Sequence, residues 1–337
     1  MNTDKPKRYT KRKKILVSVF ILFLLLVGSG IGYAGYLYNK TSSIVTESHE
    51  DVGRENESSP LRDGKVDPVE DNVSVLFIGV DDSEFRDSEN SRSDALILAT
   101  FNKNKGSVKL LSIPRDSFVF IPPLNYSTKI NHAHAHGGPR ATIETIENFL
   151  HVPVDYYVRM NFNAFVEVVD ALDGIWFDVP YEMEESDSND KRDAIHLNPG
   201  YQLLDGEGAL ALARTRKYDS DVERGKRQQE ILKEIANKAT SASSLFKLED
   251  VLTAVGSNMR TNLTLAEIRG FLSYGLNEKV QIENINLDGN GGYMENGGWY
   301  YQVEEESRIQ IQNELRNHLE VELLEESNNV ADDPSYY

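Results

Sequence analysis

Val73-Ser-Val-Leu-Phe-Ile-Gly-Val80 is a nearly unbroken apolar run that ends abruptly in Asp81-Asp82. A short run of this kind, rich in Val and Ile, is the pattern of a strand buried on both faces. Ala95-Leu-Ile-Leu-Ala-Thr-Phe101 repeats it, and Asn102-Lys-Asn-Lys-Gly106 turns the chain into a third, Ser107-Val-Lys-Leu-Leu-Ser-Ile113. Outward from this core the period changes. Ile143, Ile146, Phe149 and Leu150 fall at helical spacing within Arg140–His151, with Pro139 at the start. A strand near Tyr156–Met160 follows, then a helix over Asn163–Leu172 stopped at Gly174 and a strand at Ile175–Val179. The remainder reads as a helix ending near Ala213 and an amphipathic one over Arg224–Thr240, followed by helices at Leu248–Asn258 and Leu265–Leu276. A strand at Val280–Leu287, a Gly-rich turn (Gly289–Gly298), an aromatic strand and a helix over Glu305–Leu319 complete it. Strands interspersed with helices predict one α/β domain with a central sheet over residues 73–322.

The flanks differ sharply in charge. The 337 residues carry 36 Lys+Arg against 54 Asp+Glu, a net charge of −18. Residues 1–14 hold seven basic side chains and one acid, about +6, which leaves −24 for the rest. The 24 residues from Ile15 to Tyr38 carry no charge. As a helix at about 1.5 Å per residue they would cross a hydrocarbon core of roughly 30 Å. They exceed the apolar region of a secretory signal, and no small-x-small cleavage site follows at the expected distance. The reading is a basic cytoplasmic segment (1–14), one transmembrane helix (15–38) and everything later outside the cell, a single-pass protein of the cell membrane. Residues 39–72, polar and without a sustained period, read as an exposed stalk. Residues 323–337 read as a disordered acidic tail. Lack of cysteine excludes thiolate metal sites and thiol nucleophiles, and an acidic body argues against general nucleic-acid binding.

Candidate chemistry sits at strand ends. Asp82 follows the first strand, Arg92 and Asp94 precede the second, and Arg115 follows the third. Loops at strand ends line ligand crevices in α/β folds. Two carboxylates, Asp82 and Asp94, suit a hard divalent ion that completes its shell with phosphate oxygens and water. In Ala213-Arg-Thr-Arg-Lys217, Arg214 and Arg216 would project to one side if extended, and two guanidinium forks on one side suit a diphosphate. Asp221, Arg224, Arg227 and Gln228 follow at the start of the next helix. His132, His134 and His136 are assigned to a loop leading into a helix rather than to a metal site. Trp176 and Trp299 are assigned to core or rim packing rather than to sugar platforms, and Gly289–Gly292 to a turn. No Gly-x-Ser-x-Gly elbow is present, which argues against a hydrolase triad.

These segments also resemble a known family. Phe77-Ile-Gly-Val-Asp-Asp82, Arg92-Ser-Asp94, Leu111-Ser-Ile-Pro-Arg-Asp116, Lys129-Ile-Asn-His-Ala-His-Ala-His-Gly-Gly138, Val152-Pro-Val-Asp-Tyr-Tyr157, Leu204-Asp-Gly-Glu207 and Ala213-Arg-Thr-Arg-Lys217 through Arg227-Gln228 are colinear with the motifs of the LytR–CpsA–Psr family. Within it, the chain resembles the wall-teichoic-acid ligases of Gram-positive bacteria. The resemblance implies a three-layer α/β/α domain around a mixed sheet. It implies transfer of an anionic glycopolymer from undecaprenyl diphosphate to the C6 hydroxyl of N-acetylmuramic acid in peptidoglycan. It further implies Mg²⁺ (or Mn²⁺) on Asp82 and Asp94, a diphosphate held by Arg92, Arg115, Arg214, Arg216, Arg224, Arg227 and Gln228, and Asp221 as general base. A non-catalytic polyprenyl-phosphate-binding or regulatory protein, and a polyprenyl diphosphatase, are the alternatives.

Overall fold

The three apolar runs become the middle of a six-stranded sheet. The structure, a computed structural model, describes residue 36 and residues 39–54, 57–81, 91–217, 220–241, 247–277 and 280–323. Residues 1–35, the carboxylate of Asp82 and the tail from residue 324 therefore lie outside the described residues. No helix among the described residues is long and apolar enough to cross a membrane.

The first helix, α1, covers residues 39–48. Strands β1 (Val73–Val80), β2 (Ser93–Asn102) and β3 (Ser107–Ser112) follow, then the hairpin β4 (Phe118–Ile121) and β5 (Tyr126–Lys129). Next come α2 (Asn131–Leu150), β6 (Tyr156–Asn161), α3 (Phe162–Ala171), β7 (Ile175–Val179), β8 (Met183–Glu185), β9 (Ile195–Leu197) and β10 (Gly200–Leu204). The rest is α4 (Gly206–Arg214), α5 (Asp221–Ala239), α6 (Leu248–Val255), β11 (Met259–Thr261), α7 (Leu265–Asn277), β12 (Gln281–Asn286), β13 (Gly289–Tyr293), β14 (Trp299–Val303) and α8 (Glu305–Leu319).

The central sheet has the order β11-β6-β1-β2-β3-β12 and is mixed. β2 is antiparallel to both β1 and β3, whereas β6 and β12 pair in parallel with β1 and β3. Helices cover both faces. On one, Leu76, Ile78, Leu96, Leu98 and Leu111 pack on α2 and α8 through Ile143, Ile146, Leu315 and Leu319, all nearly inaccessible to solvent. On the other, α5 is tied to the sheet by Gln229, whose amide donates to the carbonyls of Leu110 (2.7 Å) and Ile285 (2.9 Å).

Three expectations change and a fourth narrows. The Gly289–Gly298 turn is shorter than read, because Gly289–Tyr293 pairs with Trp299–Val303 as a hairpin. The histidine segment is helical, and α2 breaks within it at Gly138, whose φ of 59° is readily reached only by glycine. Residues two apart on a helix diverge, so His132 reaches Thr128 whereas His134 reaches the carbonyl of Ser91. Residues 39–72 are also no exposed stalk. Val45, Ser48, Val52 and Ser59 are buried, His49 bridges to Thr261, Arg54 pairs with Glu147 at 2.7 Å and Arg62 with Asp155 at 2.7 Å. Charged partners more than 90 residues away in the chain, rather than a local apolar period, hold this segment down. Lastly, of the core and rim positions expected for Trp176, the structure shows the rim: it is 47% exposed and stacks on Tyr201.

Candidate active site

Between the second sheet face and helices α3, α4 and α5 lies a cavity of about 430 Å³. The sheet makes room for it with small side chains. Gly79 and Ala95 are direct partners on β1 and β2, and a Cβ on Gly79 would sit 3.1 Å from that of Ala95. Beneath them Phe77 and Ile97 form the floor. Asn161 starts the α3 wall: its side-chain oxygen accepts from the Ala164 amide (3.0 Å), which satisfies one of the otherwise unpaired donors of the first turn. Asp205 does the same for α4 through Gly208 (2.8 Å), and Ser220 for α5 through Glu223 (3.3 Å).

One stripe of α5 supplies the polarity gradient of the site. Arg224, Gln228, Ile231 and Ile235 all line the cavity and recur at helical spacing, so a single face of the helix passes from charged to amide to aliphatic. Arg115, Arg214 and Arg216 join Arg224 at the polar end, together with Asp94, Asp81 and Glu185. Phe162, Phe165, Val168 and Leu210 extend the apolar end. A second cavity of about 490 Å³ shares Phe77 and Leu232 with the first and runs along the same sheet face past Ala99, Val108 and Phe271.

The polar end is crowded with cations. Arg115 is hydrogen-bonded to Asp94 through Nη1, and Arg216 comes within 3.8 Å of the same carboxylate oxygen. Arg214 lies over the Phe162 ring, 4.5 Å from its centre, and 3.7 Å from Asp190. Arg224 is buried and pairs with Asp221 at 3.0 Å. Burial pulls the Arg224 guanidinium down to about 10; Asp221 opposes this, and the charges of Arg216 and Arg115 add to it. Arg216 is lowered for the same reasons, burial first and then Arg115. Buried Nε atoms of Arg115 and Arg224, with the Thr215 and Ser93 hydroxyls, have no hydrogen-bond partner among the described residues. Mutually repelling cations and orphaned donors are relieved together by an anion.

Not every expected residue reaches this cavity. Arg115, Arg214, Arg216, Arg224, Gln228 and Asp94 line it. Arg92 does not: it is exposed, and its charge acts on His132, which burial and Arg92 hold below the ordinary imidazole value. Arg227 is a correction. Its guanidinium donates to the carbonyls of Leu212 (3.0 Å) and Thr215 (2.9 Å), so it holds the C-terminal turn of α4 rather than a ligand. Asp221 occupies the first turn of α5, beside the cavity lining and within hydrogen-bonding reach of Asp116. Asp116 was not singled out as a site residue. It is buried and bound to Lys129 at 2.8 Å; burial raises its carboxyl, but Lys129 and Arg115 outweigh that and hold it below the ordinary value. Its signal was local: it follows Arg115 directly. Asp81, which lines the cavity and precedes Asp82 in the chain, is equally readable as the first acid after β1.

Four arginines gathered at the polar end of an apolar groove make a site whose charge and shape complement an amphiphile with an anionic head. The LytR_cpsA_psr family model matches residues 35–317, and the chain belongs to this family. It is 37% identical over 320 residues to the polyisoprenyl-teichoic acid–peptidoglycan teichoic acid transferase TagT of Bacillus subtilis (strain 168), covering 94% of this chain and 98% of that one. An uncharacterised protein of Staphylococcus aureus is 44% identical over 319 residues, 93% of this chain and 78% of its own length. Among solved structures, the LytR-CPS2A-psr family protein YwtF (TagT) with bound octaprenyl pyrophosphate lipid superposes with a TM-score of 0.65 at 35% identity, covering 81% of this chain and all of that one.

Proposed function

We propose that this chain is a membrane-anchored phosphotransferase that moves an anionic glycopolymer from undecaprenyl diphosphate to the C6 hydroxyl of N-acetylmuramic acid in peptidoglycan. The observation that carries this reading is the α5 stripe, on which Arg224 and Gln228 give way to Ile231 and Ile235 within one cavity. A lipid diphosphate has that same gradient. The polyprenyl tail would lie along Phe77, Phe165, Ile235 and the second cavity, and the diphosphate would meet Arg115, Arg214, Arg216 and Arg224. The names of the relatives and the lipid in the related structure agree with this assignment.

In the reaction, the acceptor hydroxyl oxygen forms a bond to the phosphorus that carries the glycopolymer. The bond from that phosphorus to the bridging oxygen breaks, and undecaprenyl monophosphate departs. Asp221 takes the hydroxyl proton. The arginines offset the charge that builds on the departing phosphate, the kind of preorganised stabilisation that dominates phosphoryl transfer. Asp94 and Asp82, the latter outside the described residues, would hold Mg²⁺ or Mn²⁺. Hard carboxylate oxygens fit that choice, and Asp81 lies at the same cavity. No cluster of three metal-binding side chains forms among the described residues, so substrate oxygens and water would complete the shell. A bound ion would supply positive charge to the diphosphate. Residues 15–38 would anchor the chain in the cell membrane, with the domain outside.

The test incubates the full chain in detergent with an undecaprenyl-diphosphate-linked glycopolymer, peptidoglycan oligomers and Mg²⁺. Covalent attachment that is lost in Arg115→Ala and Asp94→Ala is the expected result. Tight lipid binding without turnover would instead leave a binding protein, and monophosphate release without acceptor a diphosphatase.

A further inference from the structure

On the face turned away from the core, β7 and β10 carry an apolar ribbon left open by the described residues. Trp176 lies opposite Leu203 and Asp178 opposite Tyr201, so these four share the outward side of the pair. Trp176, Tyr201 and Leu203 are 47%, 70% and 50% exposed, while Ile175, Val179 and Leu204 point into the core. The Trp176 and Tyr201 rings stack, 5.3 Å between centres and 17° from parallel. Contiguous exposed apolar surface of this kind, rimmed by polar residues, is a feature of binding surfaces.

A hollow of mixed polar and apolar lining adjoins the ribbon at Leu203. It encloses about 470 Å³ and is lined by Asp170, Asp173, His196, Gln202 and Asp205. Asp170 and Asp205 each accept one backbone amide through Oδ1, from Gly206 (2.7 Å) and Gly208 (2.8 Å). Their second oxygens have no partner among the described residues. A sugar ring presents a flat C–H face and an edge of hydroxyls. Parallel aromatic rings beside carboxylates and an amide match both.

We infer that the outward face of β7 and β10, with the adjoining hollow, binds an uncharged glycan strand. Charge selects this occupant. Asp178 lies on the ribbon, Asp170, Asp173 and Asp205 line the hollow, and Glu182 and Glu184 each lie 3.5 Å from His196; Lys247, with Lys238 behind it, acts on Asp173. Such a surface repels polyphosphates and anionic lipid headgroups. The face also has a defined relation to the groove. Asp205, which lines the hollow, caps α4 at one end and Arg214 closes it at the other, about 13 Å of helix away. That the bound glycan is the acceptor strand rests on the transferase reading; that the face binds an uncharged saccharide does not.

The chain has two tryptophans, so Trp299→Phe leaves Trp176 as the sole tryptophan, which excitation at the red edge of the indole band reads apart from the tyrosines. Titrating that variant, as the full chain in detergent, with a β-1,4-linked N-acetylglucosamine tetramer should give a saturable change in emission. Calorimetry on the unmodified chain should show the same affinity, and supplies the reading if the variant does not fold. Trp176→Ala and Tyr201→Ala should each weaken binding at least tenfold at an unchanged melting temperature. Absence of saturation into the millimolar range, or unaltered affinity in both variants, would overturn the site. Preferred binding of poly(glycerol phosphate) or phosphatidylglycerol vesicles that disappears in Trp176→Ala would overturn it too, in favour of a polyanion or a bilayer. Saccharide binding in a chain that shows no transfer would sink the transferase reading and leave this one standing.

Discussion

The two faces of the central sheet are made from neighbouring residues of the same strands, yet one is filled and the other hollow. Towards α2 and α8, β1 and β2 send Leu76, Ile78, Leu96 and Leu98, all essentially inaccessible. Towards α3, α4 and α5 they send Phe77, Gly79, Ala95 and Ile97, which border the cavity. Both sets are free of charge; they differ in side-chain volume, with Gly79 and Ala95 standing where the other face has Leu and Ile. The comparison teaches that the filled face stores the stability of the domain, and that the hollow one spends some of it on space for a ligand.

The sharpest way to separate the faces is to remove a charge from the mouth of the groove. Arg115→Ala should lower the transfer rate on the order of 10²–10³-fold, the usual cost of one preorganised donor, at an unchanged unfolding midpoint. On the filled face, Leu98→Ala should cost about 2–5 kcal/mol in denaturant unfolding, since the cavity it leaves cannot collapse between α8 and the sheet. If Leu98→Ala instead cost nothing, the distinction between the faces would fail.

Acid probes the filled face as well. His318 on α8 is buried and bound to the Thr100 and Ser107 hydroxyls at 2.8 and 2.9 Å. Burial, then the charges of Lys109 and Lys105, lower it to about 4 from 6.5. The unfolded chain therefore takes up the proton first. Stability is full above pH 6.5 and falls as pH drops towards 4, by roughly 3 kcal/mol in all. In His318→Gln that share of the pH dependence should vanish, as measured by melts across the window. The smallest effect belongs to Ala95→Leu, which adds volume where the groove is empty. It should weaken octaprenyl diphosphate binding about tenfold, near 1.4 kcal/mol, while leaving thermal unfolding close to wild type.

Much of this was legible in the chain. β1 to β3 announced themselves because strands covered on both faces need apolar residues at every position. Arg214 and Arg216 stood out because two guanidinium groups two residues apart have few structural uses. The groove was not legible, since lipid-facing and core-facing residues are equally apolar, although Gly79, Ala95 and Ala99 against Leu76, Leu96 and Leu98 was a difference in size that could have been read. Arg227 misled because a guanidinium at the start of a helix looks the same whether it will meet phosphate oxygens or peptide carbonyls. Residues 39–72 misled because composition reports local chemistry, and the partners of Arg54 and Arg62 lie on α2 and just before β6.

Those two ion pairs also determine how the domain bears load. Tension applied through whatever precedes residue 39 would not first peel β1 from the sheet. It would meet the His49–Thr261 bridge, then Arg54 on Glu147 and Arg62 on Asp155, and Asp155 in turn grips the Ser74 amide at 2.8 Å. The force is shared between α2 and β6 before it reaches the strand that leads to the site. A pull on the segment before β1 would therefore meet side-chain contacts to α2 and to the chain before β6 ahead of the hydrogen bonds of the central sheet.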